Sequence, residues 1–419
     1  MILINYVIKI DNDGCCFFMK KLYVVLLIFA VLISISAVSA AENISSFDEV
    51  LELEDSEISS IESTDNISHT VADDSADNGV LKETENTRDK SGEVKQVPFK
   101  ATAKNIKSTY GTKAKYTLKL VDKSGNIIVG EKVTFKIGKK VYKVYTDSKG
   151  IATLNLNYAA GKYTIKYSVG DLSGKNTYTV SNKVTMTILK WGNKGDVSKI
   201  KLIKKNMPNN KWVKKAVAAT KKGNPLLKFQ GGKGKVVFLT AGVHGNELSS
   251  QVAAMKLINY LTKNPIKGTV YIIPFVNIKA ISHKVRHTGT DYNRVAHKSG
   301  TISNKIVKLV VKYKCDAYGD FHTTQPGGVP GKNIVMGSKT PATKCSAMTK
   351  YIAKYAKVNK RIYKYAGQQY PGALADNVNK NGIPAVICEV MLPHNTVTSK
   401  TVTTSFNMMK SLLKFNSVI

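Results

Sequence analysis

The stretch Val236-Val-Phe-Leu-Thr-Ala-Gly-Val-His-Gly-Asn-Glu247 sets the reading of everything around it. Val236 to Thr240 are apolar or β-prone and predict a buried strand. Ala241 and Gly242 let the chain turn, and an amphipathic helix follows through Leu257 and Leu261. His244 and Glu247 stand three residues apart where a strand tip becomes a helix start, a spacing that lets an imidazole and a carboxylate converge. That point lies at the carboxyl end of a strand, where open α/β sheets hold their ligands. A nitrogen and an oxygen donor there suit Zn²⁺. A lone His-x-x-Glu also arises as a capping histidine beside a solvated glutamate, so the weight falls on what the rest of the chain supplies.

Downstream, strands and helices alternate, which predicts an α/β domain. Val270-Tyr-Ile-Ile-Pro-Phe-Val276 reads as a strand, Ile302 to Tyr313 as a helix, and Cys315-Asp-Ala-Tyr-Gly-Asp-Phe-His322 as a strand-like approach. Ala347 to Ala356 is helical, and Ala385-Val-Ile-Cys-Glu-Val390 is a last buried strand. Glu389 sits inside that apolar run. A carboxylate is costly to bury without a purpose, and the bland alternative is a glutamate paired with a lysine. Upstream, residues 191–234 hold turns and a helix at Trp212 to Thr220, punctuated by Lys222-Gly-Asn-Pro225, and lead into the same domain.

Residues 97–190 change character. Tyr116-Thr-Leu-Lys-Leu120, Lys132-Val-Thr-Phe-Lys-Ile137, Ala152-Thr-Leu-Asn-Leu156 and Lys162-Tyr-Thr-Ile-Lys-Tyr-Ser168 alternate polar and apolar residues between Gly-containing turns. Short alternating strands at regular intervals predict a β-sandwich of immunoglobulin type. Residues 41–96 are rich in Ser, Asp, Glu, Asn and Thr and predict a disordered acidic spacer. Within residues 1–40, Met19-Lys-Lys21 and the apolar run from Leu22 to Ile33 precede Val38-Ser39-Ala40. This is the pattern of a secretory signal with Met19 as the true start, or of an anchor kept uncleaved. It predicts a secreted or surface protein that meets a membrane only through that segment.

The net charge of the 419-residue chain is +34, and more than half of its acidic residues lie between Ala41 and Gln96. The remainder, from Val97 onward, is more basic still. Such a surface suits polyanions, an anionic cell-wall polymer or anionic lipid, and the plain alternative is a solvated lysine-rich surface. Nucleic acid is discounted, because the lysines recur singly and no aromatic-studded basic motif appears. Cys15 and Cys16 precede the signal. Cys315, Cys345 and Cys388 are too few and too scattered for a disulfide framework and read as buried structural thiols.

Taken in order, these pieces carry a resemblance. Thr240-Ala-Gly-Val-His-Gly-Asn-Glu247 resembles the metal motif of zinc carboxypeptidases, especially the branch of succinylglutamate desuccinylase and aspartoacylase. Asn277-x-x-Ala280, Arg286, Asp291-x-Asn293-Arg294, Asp320-Phe-His322-Thr and Gly382-Ile-Pro-Ala385 leading to Glu389 keep the same order, over residues 211–395. The turn-and-strand pattern of residues 97–190 resembles a bacterial-type Ig-like repeat of the kind found in archaeal adhesin-like surface proteins. The resemblance implies a multidomain chain: an Ig-like β-sandwich, then residues 191–419 as an α/β zinc-carboxypeptidase-like domain with a mixed central sheet.

It also implies roles. His244, Glu247 and His322 would hold Zn²⁺ and leave one position open. Glu389 would be the general base, and Arg286 would stabilise the oxyanion. Asn293 and Arg294 would hold a substrate carboxylate by a charge-assisted fork, and Tyr370 would sit in a loop capping the substrate. Asp320 is a candidate to orient a ligating histidine. His283, His287, His297 and His394 read as bystanders, with His287 or His297 placed to line the pocket. Arginine is scarce after Gly195, where only Arg286, Arg294 and Arg361 occur, which favours a geometric role that lysine cannot fill. Val295-Ala-His297 and Val390-Met391 depart from the family pattern beside the substrate pocket. The function implied is hydrolysis of an amide bond next to a free carboxylate, in a peptide or an N-acyl amino acid. The alternatives are an exported deacylase of small N-acyl amino acids and an adhesin whose hydrolase-like domain only binds.

Overall fold

The protein is described by a computed structural model over residues 50–53 and 99–419. The expected signal segment and nearly all of the expected acidic spacer lie outside the described residues. Within that spacer, Val50–Leu53 forms a short strand, β1.

Nine strands run from residue 99 to residue 189: β2 (Phe99–Ala103), β3 (Ile106–Thr109), β4 (Ala114–Asp122), β5 (Lys132–Ile137), β6 (Lys140–Tyr145), β7 (Ile151–Leu156), β8 (Gly161–Val169), β9 (Leu172–Ser181) and β10 (Lys183–Leu189). β2-β4-β7 form one sheet and β3-β9-β8-β5-β6 another. The period-2 pattern puts Tyr116, Leu118 and Leu120 of β4 and Val133, Phe135 and Ile137 of β5 into one shared core. Tyr116 buries its ring edge-on to Phe135 and donates its hydroxyl to Asn176 Oδ1 at 2.6 Å.

β10 departs from the expected domain limit at residue 190. It leaves that two-sheet unit and pairs antiparallel with β11 (Asn224–Gln230) in a larger sheet. Its pattern of Met186, Ile188 and Leu189 buried reads equally as a sandwich strand, so alternation alone could not assign it. Only Asn182 separates β9 from β10. It is buried, its Nδ2 donates to Leu261 O and Asn264 O at 2.6 and 2.8 Å, and its Oδ1 accepts from Ile266 N at 3.0 Å. A second tie joins Ala160 N to Gly231 O at 2.6 Å.

The larger sheet adds β12 (Val236–Ala241), β13 (Thr269–Ile273), β14 (Ala317–Thr324), β15 (Ile334–Thr340), β16 (Asn359–Tyr365) and β17 (Ala385–Met391), in the order β1-β10-β11-β13-β12-β14-β17-β15-β16. β13, β12, β14 and β17 run parallel, while β11 and β15 run against their neighbours β13 and β17. The sheet is therefore mixed. Its parallel centre is buried on both faces, as the unbroken apolar run of β12 and the wholly buried β14 require. One face is covered by the helices Lys211–Ala219, Leu248–Lys263, Lys344–Ala356 and Ser399–Phe415, the other by Ile302–Lys312 and Leu374–Lys380. Among the described residues no helix is long and apolar enough to cross a membrane.

Two glycines shape the turn at the tip of β12. Gly242 has φ +75°, and Val276 N and Asn277 N donate to Ala241 O and Gly242 O on either side of it. At Gly245 a Cβ would meet Ala280 C at 2.2 Å, so only glycine lets this turn press against the helix Ile278–His283. Asn277 N-caps that helix, its Oδ1 accepting from Ala280 N at 3.2 Å. The resemblance's Asn277-x-x-Ala280 is thus a cap that seats the motif's turn.

Candidate metal centre and its cavity

β12, its turn and the start of the helix Leu248–Lys263 deliver His244 and Glu247, and the buried strand β14 delivers His322. Donor atoms of the three lie within 4.8 Å of one another, all buried. His244 Nδ1 is 2.6 Å from Glu247 Oε1, and His322 Nδ1 is 2.9 Å from Glu247 Oε2. Thr323 N also donates to Oε2 at 3.0 Å, which fixes the carboxylate plane.

The far nitrogen of each ring meets another carboxylate. His244 Nε2 is 3.1 Å from Asp291 Oδ1, and His322 Nε2 is 2.9 Å from Asp320 Oδ2, the latter a close contact rather than an aligned hydrogen bond. A carboxylate on the remote nitrogen sets the tautomer that presents Nδ1 as a donor. Asp320 is held in turn by Thr240, whose hydroxyl donates to Oδ1 at 2.7 Å and also bonds Tyr318 OH. Two inward nitrogens and a carboxylate, each backed from behind, are the donor set a divalent cation takes. Without a cation the same lone pairs take up protons. Burial opposes charge on both rings, yet Asp320 and Glu247 hold His322 well above the usual imidazole range, and Glu247 and Asp291 hold His244 above it. Burial would raise Glu247, but the two imidazoles overcome it and keep its carboxyl well below the ordinary range.

Glu389 stands opposite His322 in the β14–β17 register, so both point to one face of the sheet. Its Oε2 is buried and has no hydrogen-bond partner. Burial pushes its carboxyl up; His322 works against this, Glu247 adds to it, and the result is about 8. No lysine pairs with it among the described residues, which removes the bland reading of a buried ion pair.

These groups open on a cavity of about 190 Å³ lined by His244, Glu247, Arg286, Asn293, Arg294, Tyr370 and Glu389. His322 sits behind it, its side chain fully buried. Arg286 Nη1 is 3.6 Å from Glu247 Oε1, and its Nη2 is 3.2 Å from Asp291 Oδ2. Asn293 is only half available: its Oδ1 accepts from Leu374 N at 3.0 Å, leaving Nδ2 for a ligand. Arg294 donates to Asn293 O at 2.8 Å and lies over the Tyr370 ring at 5.4 Å. Ala296 N bonds Gly372 O at 3.1 Å and Leu374 N donates to Asn293 Oδ1 at 3.0 Å, so the end of the Tyr370 loop is fastened to residues 293–296.

The expectations for the other histidines require correction. His287 and His297 do not line the cavity, whereas His394 does. Its Nε2 donates to Thr323 O at 3.0 Å, and its Nδ1 accepts from Gln325 Nε2 at 2.8 Å and Asn246 Nδ2 at 3.1 Å. It joins the turn at Asn246, the end of β14 and its own loop around the mouth, and its isolation in sequence gave no signal. Asp291, quoted within a motif but given no task, proves to hold both His244 and Arg286. Val329, Met336 and Ile387 form an apolar wall that no sequence pattern marked.

The mixed α/β sheet thus carries a buried His-Glu-His cluster that could hold a metal ion, faced across a cavity by a carboxylate whose Oε2 has no hydrogen-bond partner. Residues 233–328 match the family model of the succinylglutamate desuccinylase/aspartoacylase catalytic domain. No curated protein matches the chain. Among solved structures, the chain is similar to an aspartoacylase family protein from Mesorhizobium loti, with 16% identity and a TM-score of 0.40 over 57% of this chain and 68% of that one. It is similar to the product-bound ectoine utilization protein EutE (DoeB) from Ruegeria pomeroyi, with 15% identity and a TM-score of 0.42 over the same shares. A third is the tripeptide-bound cell shape determinant Csd4 from Helicobacter pylori, at 15% identity and a TM-score of 0.37 over 44% of this chain and 52% of that one.

Proposed function

We propose that the chain is an exported zinc-dependent hydrolase that cleaves an amide bond beside a free carboxylate, with peptides of a cell wall as its substrates. One observation carries the reading: the two Nδ1 atoms converge on Glu247 while Glu389, whose buried Oε2 has no hydrogen-bond partner, lines the same cavity. The family match over residues 233–328 supports amide-bond hydrolysis. The signal-like segment of residues 19–40 and an immunoglobulin-like reading of residues 99–181 support export and a place at the surface.

Held by His244, Glu247 and His322, zinc supplies Lewis acidity toward a carbonyl oxygen and toward water. Glu389 takes the proton of the attacking water and returns it to the leaving nitrogen. Arg286 reaches the same space and neutralises charge developing on the carbonyl oxygen. Arg294 and Asn293 Nδ2 receive the substrate carboxylate, and the stacked Tyr370 keeps the guanidinium in place. The wall of Val329, Met336 and Ile387 accepts an aliphatic group rather than a second charge.

The test compares zinc-loaded protein on a peptide ending in a free carboxylate, the same peptide amidated, and an N-acyl aspartate, with products read by mass spectrometry. Release of a terminal residue from the free peptide alone is expected. Preference for N-acyl aspartate would shift the reading to a small-molecule deacylase. Turnover of neither by fully loaded protein would leave a binding domain.

A further inference from the structure

The outer face of the β3-β9-β8-β5-β6 sheet carries a row of opposed cations. Lys136 of β5 stands directly across from Lys166 of β8, and Lys166 directly across from Lys175 of β9. All three are exposed. Directly opposed residues hold their Cβ atoms about 5 Å apart, and like charges in that relation destabilise a sheet. Threonine or glutamate at any one of the three positions would relieve it. Instead β5, β6, β8 and β9 contain no acidic residue at all. No carboxylate among the described residues forms an ion pair with any of the three.

The positions beside the row are hydroxyls. Ser173, Ser168 and Thr134 oppose one another in the next register and end at Lys143 of the edge strand β6. On the other side Thr164 opposes Thr177, and Lys162 opposes Thr179. The opposite sheet has no such row: on β4, Lys115 faces Asn155, and Lys119 lies between Thr102 and Ile151.

We propose that this face is a binding site for an anionic carbohydrate polymer. Ammonium groups stepped at the strand spacing of about 4.8 Å match carboxylate or sulfate groups repeated along a chain. The serines and threonines between them offer donors and acceptors for sugar hydroxyls. Duplex nucleic acid fits less well, because no arginine occurs between Arg88 and Arg286 to fork onto phosphates. A bilayer fits less well, because the apolar side chains exposed on this face are confined to Val141 and Tyr145 on its edge strand. The site is independent of the hydrolase reading and would hold the protein on its polymer whatever the cavity does.

The test uses the full chain and immobilised polygalacturonate, with neutral dextran, phosphatidylserine vesicles and duplex DNA as comparisons. The variant K136T/K166T/K175T removes three charges from the face, and K308Q/K312Q/K354Q removes three exposed charges from helices elsewhere. The face variant is expected to bind polygalacturonate at least about ten-fold more weakly than wild type, with a flatter salt dependence. Its melting temperature should be equal or higher, since like-charge opposition is relieved. The helix variant should retain wild-type binding. Equal loss in both variants would mean that only net charge acts, and would overturn the proposal. So would binding no tighter than to dextran, or a preference for vesicles or DNA.

Discussion

Glu247 Oε2 lies 2.9 Å from His322 Nδ1 although 75 positions separate the two residues. The carboxylate belongs to a helix start and the imidazole to the middle of a buried strand, so their meeting depends on the β12–β14 register, where Thr240 pairs with Asp320. Glu247→Gln preserves the volume and the bond from Thr323 N but removes the charge between the imidazoles. Metal content after dialysis is expected to fall from about one zinc per chain to a trace, with the fold intact by circular dichroism. Full occupancy in this variant would place the metal elsewhere.

Glu389 permits a cleaner separation. It does not coordinate the cluster, so Glu389→Gln should keep zinc while turnover drops by about 10²–10⁴. Equal activity of the two proteins at equal metal content would remove Glu389 from the chemistry.

Asp320 acts one step back, and Thr240 one step behind it. Asp320→Asn leaves His322 facing a group that can donate as well as accept, so its tautomer is no longer dictated. Zinc affinity should weaken by about 10–100-fold, with recovery of activity at saturating zinc. Thr240→Val, which removes the bond to Asp320 Oδ1, should produce a smaller shift in the same direction. Activity that stays low at saturating zinc would assign Asp320 a direct role in the reaction.

The His-x-x-Glu motif, the α/β alternation and the run holding Glu389 could be read from the sequence because each depends on local pattern: a strand tip, a helix start, a carboxylate among apolar residues. The mixed sheet came only with the family resemblance. The roles that emerged only in three dimensions depend on register. Asp291 reads as part of a polar triplet until the turn brings it beneath His244. His394 carries no pattern of its own and matters because Asn246, in the turn after β12, and Thr323 and Gln325, at the end of β14, come to it from two separate segments. β15, β16 and the helices Leu374–Lys380 and Ser399–Phe415 pass unremarked because the same Lys-rich, small-residue composition serves loop, strand and helix alike.

Asp376 gives the fold a pH signature apart from the site. It lies in the first turn of the helix Leu374–Lys380. Burial lifts its carboxyl from 3.8 to about 6, against the opposing hydrogen bond from Gly367 N and the charge of Lys380. The folded state thus binds a proton where the unfolded chain does not. Stability from this group is present at pH 4 and is lost as pH rises toward 6, by at most about 3 kcal/mol. Asp376→Asn keeps an acceptor for Gly367 N without the charge. It should melt higher than wild type at pH 7 to 8, and the two should coincide near pH 4. Coincidence across the whole range would mean that Asp376 is solvated in the native state.

Asn182 ties the strand leaving the two-sheet unit to the end of the helix Leu248–Lys263 and to Ile266 beyond it, using both donors and one acceptor of its amide. Asn182 is the one residue between β9 and β10, and its side chain and the Ala160 N–Gly231 O bond both tie the two-sheet unit to the larger sheet's domain. Asn182→Ala leaves Leu261 O and Ile266 N buried without these partners. Stability should fall by about 2–4 kcal/mol, read as an earlier denaturant midpoint. Asn182→Asp should be worse, because a carboxylate can accept from Ile266 N but only repels the carbonyls of Leu261 and Asn264. Both variants should keep their zinc, since the cluster is built from β12 and β14. If Asn182→Ala unfolds at the wild-type midpoint, the junction is held by the Ala160–Gly231 contact instead, and residues 99–181 should then detach under limited proteolysis when that contact is removed.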